Sequence, residues 1–388
     1  MGIFGFYFSL AEMIVLGLLT VTFLYQLFFY FRYLSGVLRL KKKIKSNGLP
    51  FLNEQPPVSV IICAKDEADN LRKFLPFVLE QEYPNFEVIV INDGSTDETE
   101  ILLRDLCKEH PNLKTTFVPT GANNLSTKKL GLTLGIKAAK YDLLLFTDAD
   151  CMPEDKVWIA RMARNFTNET DFVLGYGAYF KKKGFVNQLI TYDTLFIALQ
   201  YMGMAIAKKP YMGVGRNMAY RKQIFFNQKG FASSLHLTSG DDDLMVNKAA
   251  NSRNTRIEIA PDSITWSEPN TTYKGWFIQK ERHLSVSSYY KGSSKFILSL
   301  EPMTRGLFYA SLIAAMSIGN TITIITALVL FLIRYLTQLV IFNSSSKHFG
   351  GQKYIFSLPI FDIFLPLVSM FILTVGRVTS SGKTVRWK

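Results

Sequence analysis

Two short apolar runs decide the fold of this chain: VSVIICA at Val58–Ala64 and EVIVIN at Glu87–Asn92. Both runs are rich in β-branched residues, which favour strands. Each is followed by a polar, helix-compatible stretch, at residues 66–81 and 96–109. The pattern predicts two consecutive strand–helix units.

The same pattern continues further along the chain. A weaker strand is predicted at Thr115–Val118, a helix at residues 128–139, and a strong strand, LLLF, at Leu143–Phe146. Strands that alternate with helices predict βαβ units, and continuously apolar strands predict a parallel sheet covered on both faces. The predicted fold class is α/β with a Rossmann-like sheet.

Acidic residues follow each strong strand. Asp66 and Glu67 follow the first, Asp93 follows the second, and Asp148 and Asp150 follow the LLLF strand. Ligands of open parallel sheets bind beyond the carboxyl ends of the strands. The sequence therefore predicts that three strands bring carboxylates to one edge of the sheet.

Three apolar zones flank this block. The first runs from Phe4 to Phe31, long enough for a helix to cross a bilayer. The second runs from Gly306 to Phe342, with Asn320 as a candidate turn between two helices, and the third from Tyr354 to Val375 contains prolines and an aspartate that favour a bent or re-entrant helix.

Lysines at 41–43 and 45 come soon after the first zone, and the positive-inside rule places the chain from residue 40 onward in the cytoplasm. We expect an outside N-terminus and three crossings, which leave the basic tail inside; its basic residues are Arg377, Lys383, Arg386 and Lys388. The sequence predicts four parts. Residues 1–35 form an N-terminal transmembrane helix, and residues 36–55 form a cytoplasmic linker. Residues 56–300 form the catalytic domain with its interfacial segment, and residues 301–388 form a C-terminal membrane region with two or three apolar helices and the basic tail.

Composition agrees with a folded membrane protein. The 388 residues carry 44 Lys+Arg and 31 Asp+Glu, a net charge of +13, and 48% are hydrophobic, which excludes a disordered chain. Three cysteines exclude a disulfide scaffold and fit a reducing compartment. The excess positive charge is assigned to contact with anionic membrane lipids. No nucleic-acid partner is expected, because the basic, aromatic stretch Tyr273–Lys295 precedes a membrane zone and favours an interfacial segment.

The pair Asp148 and Asp150 predicts a metal site. Two carboxylates at i and i+2, directly after a buried strand, can converge on one hard cation such as Mg2+ or Mn2+. That ion would offset charge on a diphosphate leaving group. An ordinary strand-end turn is the alternative interpretation.

Five motifs in this order resemble the family 2 glycosyltransferases, whose catalytic fold is of the GT-A type. They are VSVIICAKDEADNL, FEVIVINDGSTDET, LLLFTDADC, SGDDDL and QKERH, and the resemblance covers about residues 56–290. It implies that Ala64, Glu67 and Asp93 bind the nucleotide and that Asp148 binds the diphosphate through the metal. It also implies that Lys128 lies near the phosphates, although a solvated helix start is an equal alternative for Lys128-Lys129.

The segment SGDDDL resembles the catalytic-base motif of the family. An inverting transfer needs one base to take the proton of the acceptor hydroxyl. Register to Leu244 favours Asp241 as this base, and alignment from Gly240 favours Asp242. Acids at a helix start also act as dipole partners, so both assignments stay open.

Gln279-Lys280-Glu281-Arg282-His283 resembles the Gln-x-x-Arg-Trp element of the family, with His283 in place of Trp. On a helix Gln279, Arg282 and His283 share one face. The resemblance implies that they bind substrate and that Arg282 braces the diphosphate or the acceptor. Loss of the Trp stacking platform argues against processive polymer synthesis. The run Gly213–Ala219 resembles the acceptor-side loop of the family.

The expected function is an inverting glycosyltransferase anchored in the bacterial inner membrane by several spans, with a cytoplasmic catalytic domain. The expected donor is a nucleotide-diphosphate sugar, with UDP favoured over GDP, and the expected acceptor is lipid-linked or a glycan of the cell envelope. Two alternatives remain: a processive polysaccharide synthase that also translocates its product, and a non-catalytic nucleotide-binding membrane protein.

Overall fold

The computed structural model describes residues 2–3, 6–118, 127–237 and 239–379. The tail residues Lys383, Arg386 and Lys388 lie outside the described residues. The strands are β1 Gly2–Ile3, β2 Phe6–Tyr7, β3 Val58–Ala64, β4 Phe86–Asn92, β5 Leu113–Phe117, β6 Leu143–Phe146, β7 Cys151–Pro153, β8 Phe172–Leu174, β9 Gly177–Tyr179, β10 Met218–Arg221, β11 Thr255–Ile257 and β12 Thr265–Ser267.

Helices supply the rest of the regular structure. The α-helices are α1 Leu10–Phe29, α2 Gly36–Lys45, α3 Ala68–Leu79, α4 Thr99–Glu109, α5 Thr127–Ala138, α6 Trp158–Ala163, α7 Phe185–Ile206, α8 Lys222–Asn227, α9 Asp243–Ala249, α10 Tyr273–Val286, α11 Gly292–Ile318, α12 Thr321–His348 and α13 Ser357–Thr379. A π-helix, Tyr30–Leu34, continues α1.

The central sheet has seven strands in the order β11-β8-β10-β6-β3-β4-β5. β3 is parallel to both β4 and β6, and β4 is parallel to β5, so these four strands end at one edge. All seven residues of β3 are buried, as expected for a strand covered on both faces. The predicted α/β class and Rossmann-like sheet are confirmed. β10 joins antiparallel between β6 and β8.

A second sheet, β7-β12-β9, lies beyond β6. Its strands have three residues each, too few to show a period-2 pattern in the sequence. β12 is antiparallel to β7 and parallel to β9, so this sheet holds the segment after Asp150 close to Tyr179.

Within the described residues, four helical segments are long and apolar enough to cross a membrane: Leu10–Leu34, Phe185–Ile206, Thr321–His348 and Ser357–Thr374. The sequence analysis did not single out Phe185–Ile206, of which 78% of the apolar window is buried inside the protein. α11 starts at Gly292 rather than at Gly306, because its polar first half is stabilised by ion pairs such as Arg305–Glu301, 2.6 Å. Asn320 lies in the turn between α11 and α12. Its side chain caps α12 by accepting from the N–H groups of Ile322 and Thr323.

α1, α11 and α12 pack together around Leu19, Phe23, Phe308, Ala315 and Ala327. A buried polar cluster joins this bundle to α13. The Asp362 carboxylate accepts from Arg334 at 2.6 Å and from Arg305 at 3.2 Å, and each of the three side chains is at most 4% exposed. Ion pairs are the usual way to bury charges in an apolar setting.

Candidate active site

The turns after β3 and β4 are joined by hydrogen bonds between backbone N–H groups and side-chain oxygens. The Asp66 carboxylate accepts from the Thr96 N–H at 2.7 Å, and the Asp66 N–H donates to Ser95 Oγ at 2.9 Å. Asp66 and Gly94 both have positive φ, 54° and 67°. Asp66 is thus engaged in shaping the turn, and this contact explains an acid at that position.

The same edge carries the three residues predicted to bind a nucleotide. The Asp93 N–H donates to the Ala64 carbonyl at 2.8 Å, and both side chains are buried, Asp93 being 3% exposed. Glu67 lies next to them and accepts from Asn70 at 2.5 Å. Burial, with the negative charges of Asp150 and Asp148, raises the pKa of Glu67. A half-buried carboxyl and a buried carboxylate thus face the same edge.

Asp148 and Asp150 follow β6, and their ligand atoms lie within 4.8 Å of one another and of Cys151 Sγ. Burial and the nearby Asp148 raise the pKa of Asp150. Burial also acts to raise the pKa of Asp148, but Lys128, Arg216 and Arg282 together lower it below its usual value. Cys151 Sγ lies 2.9 Å from Ser267 Oγ, and burial raises the pKa of its thiol well above the usual range. Two carboxylates beside a protonated thiol suit a hard, oxygen-seeking divalent cation.

Lys128 and Lys129, at the start of α5, are not a solvated helix start. Lys128 Nζ lies 3.2 Å from Asp148 Oδ1 and 3.7 Å from Asp241 Oδ2, with 17% of its side chain exposed. Lys129 is fully buried, and its ammonium donates to three carbonyls, at 2.6 to 2.8 Å, those of Ser234, Leu237 and Ser239. Lys128 therefore links the two acidic motifs, and Lys129 holds the segment that leads into Asp241.

The three acids at the start of α9 have different surroundings. Asp242 accepts from the Gly215 N–H at 2.6 Å and from the Asp243 N–H at 2.8 Å, so both of its oxygens are bound to backbone. Asp243 is buried and accepts from the Tyr290 hydroxyl at 2.7 Å. Asp241 instead points to Lys128 and keeps 12% of its side chain exposed. Of the three, Asp241 is the acid whose carboxylate contacts Lys128, which also contacts Asp148.

Arg216 is a site residue that sequence reasoning did not single out. Its guanidinium lies over the Tyr179 ring, 4.3 Å from the centroid, and its charge acts on both Asp148 and Asp150. The signal was present in the run Gly213–Ala219, but the partner Tyr179 lies in the short strand β9, which carries no sequence pattern.

α10 carries the predicted residues Gln279, Arg282 and His283. Gln279 donates to the Tyr179 hydroxyl at 2.7 Å, and the positive charge of Arg282 helps to lower the pKa of Asp148, after the larger effect of Lys128. His283 and Gln279 line one cavity with Arg216. The structure thus brings all three to the acidic edge.

The helix is fixed by a buried ion pair that was not predicted. Lys280 Nζ donates to both oxygens of Asp193 on α7, each at 2.9 Å, and Trp276 Nε1 donates to the same carboxylate at 3.2 Å. The side chains of Lys280 and Asp193 are 8% and 10% exposed. Hydrogen bonds from two donors make this buried carboxylate a rigid anchor for α10.

Comparison with known proteins agrees with these features. A family model described as Glycosyl transferase family 2 matches residues 59–226. The Probable glycosyltransferase YdaM of Bacillus subtilis is 26% identical over 298 residues, which cover 71% of this chain and 66% of that protein. The poly-beta-1,6-N-acetyl-D-glucosamine synthase of Staphylococcus epidermidis is 36% identical over 98 residues, which cover 25% of this chain and 23% of the synthase. The chain therefore spans just under two thirds of the first relative and about a quarter of the second.

A solved structure shares the fold over most of the chain. It is the mannosyltransferase PcManGT from Pyrobaculum calidifontis, in complex with GDP-Man and Mn2+, and it matches with a TM-score of 0.57 at 20% identity, over 92% of this chain and 99% of that one. At this identity the match carries the fold alone. The structural match thus shows a GT-A fold, and the family model and the curated relatives identify residues 59–226 as a glycosyltransferase family 2 domain, so the protein is a glycosyltransferase.

Proposed function

We propose that the chain is a membrane-anchored, inverting glycosyltransferase that works at the cytoplasmic face of the inner membrane. It would move a sugar from a nucleoside-diphosphate donor, with UDP favoured, to a hydroxyl of a lipid-linked or glycan acceptor. One observation carries the proposal: a single ammonium group, that of Lys128, contacts both the strand-end acid Asp148 and the acid Asp241 at the helix start. The carboxylates that hold the metal ion and the catalytic base must lie this close together to act on one anomeric carbon.

The donor side is assigned to the edge formed by β3, β4 and β6. Ala64, Glu67 and Asp93 would hold the nucleoside, since they lie together at the ends of β3 and β4. Asp148 and Asp150 would hold Mg2+ or Mn2+, which when bound supplies positive charge to the diphosphate. The acids fit a hard cation, and a Mn2+ ion accompanies the nucleotide sugar in the solved PcManGT complex.

The acceptor side is assigned to Asp241. Its carboxylate would take the proton of the attacking hydroxyl, while Asp242 keeps the Gly215 N–H and the start of α9 in place. Lys128 holds the Asp241 carboxylate close to Asp148, because its ammonium contacts both. Arg282 and Arg216, which both act electrostatically on Asp148, would brace the diphosphate as charge develops on it.

Three crossings, with an outside N-terminus, are proposed for α1, α11 and α12. α11 is not among the four sufficiently apolar segments, and it is included because it packs with α1 and α12 in one bundle. The network of Asp362 supports this count. Arg334 lies 13 residues into α12 and Arg305 lies 13 residues before the end of α11, so both sit about 20 Å from the outer ends of their helices. From Asp362 onward α13 follows α10 of the catalytic domain, where the rings of Phe364 and Trp276 are 6.5 Å apart. This contact favours a helix along the inner membrane surface rather than a further crossing.

The proposal is tested by titrating the purified full chain with UDP- and GDP-sugars, with Mn2+ and with a chelator. Saturable, metal-dependent binding of a nucleotide sugar and its turnover with membrane extract are expected. Absence of binding by every donor would refute it. Product length in the same assay distinguishes single transfer from processive synthesis. The match to the Staphylococcus synthase spans 23% of that protein, and His283 replaces the stacking Trp, so single transfer is favoured.

A further inference from the structure

An open cavity of about 670 Å³ lies between α7, α10 and the segment that leads to Arg216. This volume includes space that is open to solvent. Natural ligand sites are mostly apolar with a few polar groups. Six aliphatic side chains line its walls: Ile190, Ile197, Ala198, Met212, Val214 and Leu284. Of the residues assigned to the donor above, only Arg216 also lines this cavity.

One end of the cavity belongs to the catalytic centre. Arg216, Tyr179, Gln279 and His283 line it, and Gln279 and Arg216 both contact Tyr179. Arg216 acts in turn on the charges of Asp148 and Asp150. A molecule that fills the cavity would therefore present its polar end where the sugar is transferred.

Four polar side chains along the wall are engaged within the protein: Asp193, Tyr201, Trp276 and Lys280. Lys280 and Trp276 both donate to Asp193, and the Tyr201 hydroxyl donates to the Gly175 carbonyl at 2.6 Å. A saccharide needs hydrogen-bond partners and exposed ring faces along its length. A wall of aliphatic side chains with satisfied polar groups matches a hydrocarbon chain better.

The walls of the cavity also contact the membrane helices. Gly203 of α7 packs so closely on the end of the π-helix that a Cβ there would lie 1.9 Å from the Tyr33 carbonyl oxygen. On the other wall, α10 packs on α13 through the pairs Trp276–Phe364 and Phe277–Phe371. α13 exposes Leu367, Phe371 and further apolar side chains, so the flank of the cavity is an apolar surface.

We propose that the acceptor is an amphiphile, a hydroxyl-bearing head group on a single long hydrocarbon chain, and that the chain occupies this cavity. This inference rests on the proposed function and narrows its acceptor. The hydroxyl oxygen of the head group bonds to the anomeric carbon of the donor, and the bond from that carbon to the diphosphate oxygen breaks. The nucleoside diphosphate leaves with the electron pair, and the hydroxyl proton passes to Asp241.

Occupancy of the cavity is measured by protection of an introduced cysteine. Ile197→Cys places a thiol in the wall, and Gln188→Cys places one on the same helix among residues that do not line the cavity. The full chain in lipid nanodiscs is alkylated by a small maleimide in the presence of methyl glucoside or dodecyl glucoside. Each methylene that enters an apolar site tightens binding about fourfold. Dodecyl glucoside should therefore slow alkylation of Ile197→Cys at concentrations far below those of methyl glucoside, with no effect on Gln188→Cys.

A second pair of variants tests transfer. Thr194→Trp fills the cavity, whereas Gln188→Trp introduces the same side chain at a half-buried position of α7 outside it. Thr194→Trp should raise the KM for a membrane-lipid acceptor extract at least tenfold and leave nucleotide binding unchanged. Equal protection by both glucosides, or none by either, would overturn the hydrocarbon assignment, as would an unchanged acceptor KM in Thr194→Trp. Failure of the wild-type chain to bind any nucleotide sugar would refute the proposed function instead.

Discussion

Replacing Asp241 by Asn should stop sugar transfer and leave donor binding intact. The exchange keeps the size of the side chain and removes only the ability to take a proton. Loss of a general base costs about 10²–10⁴ in kcat, which corresponds to about 3–5 kcal/mol of activation free energy. The nucleotide and metal are assigned to Asp93, Asp148 and Asp150, so their affinities should not change.

Asp242→Asn is the matched variant, one residue away. Asp242 accepts from the Gly215 and Asp243 N–H groups, and Asn can replace only one of its two acceptor oxygens. The lost hydrogen bond to a charged group should cost about 1.5–3 kcal/mol of folding stability. Turnover should fall far less than in Asp241→Asn, because Asp242 is assigned no proton transfer.

The assay compares initial rates of nucleoside-diphosphate release in membranes that contain the native acceptor, with UDP affinity measured by calorimetry on the purified variants. Near-wild-type turnover in both variants would show that the base lies elsewhere. An inactive Asp242→Asn beside an active Asp241→Asn would reverse the assignment of the two acids.

The same geometry leads to four further predictions. Asp150→Ala should abolish the Mn2+-dependent part of UDP affinity, whereas the fully exposed Asp69→Ala should not change it; equal calorimetric affinities with Mn2+ would contradict the metal site. Burial and a neighbouring carboxylate raise the pKa of Asp242 from 3.8 to about 6, so the folded chain binds more protons than the unfolded chain between these values. The melting temperature of the wild type relative to D242N should then fall as the pH rises from about 4 to about 6, and a constant difference would contradict this. A cysteine introduced at Asn53 should resist an impermeant maleimide in intact cells, because the catalytic domain is proposed to be cytoplasmic. Labelling would show that this domain lies outside. Asp362→Asn leaves two buried arginines without their shared carboxylate and should destabilise the chain by about 3–5 kcal/mol, so an unchanged melting curve in detergent would show that the network contributes little.

The edge of the sheet could be predicted because its signals are local. β3 and β6 are almost continuous apolar runs, and in each case the first acid, Asp66 or Asp148, comes two positions after the last strand residue. Parallel pairing of β3 with β4 and β6 then brings those acids to one edge. The turn at Asn320 was found for the same reason, since a polar residue between two apolar helices serves as a cap.

The rest of the site depends on contacts between distant segments. Lys129 is separated from the carbonyls that it binds by 105 to 110 residues, and no local pattern distinguishes it from an exposed lysine. Adjacent Asp241 and Asp242 have equal claims in the sequence. Their difference comes from the Gly215 N–H, 27 residues away, which engages one of them. Arg216 could not be identified as a site residue from the sequence, because its partner Tyr179 lies in a strand of only three residues.

The α/β domain and the apolar terminal helices share one hydrophobic core. A single cluster of buried residues runs from Ile61 and Phe146 of the sheet, through α7, to Phe29 of α1 and Phe342 of α12. α7 connects the two parts. Its Gly203 packs on the π-helix that continues α1, and its Asp193, ten residues earlier, binds Lys280 and so anchors α10, which carries Gln279. The apolar character of α7, which by composition alone resembles a membrane span, is therefore required by its position between the bundle and the sheet. Because α7 contacts both α10 and the helix that continues α1, we expect the placement of Gln279, Arg282 and His283 to depend on the apolar terminal helices as well as on the sheet.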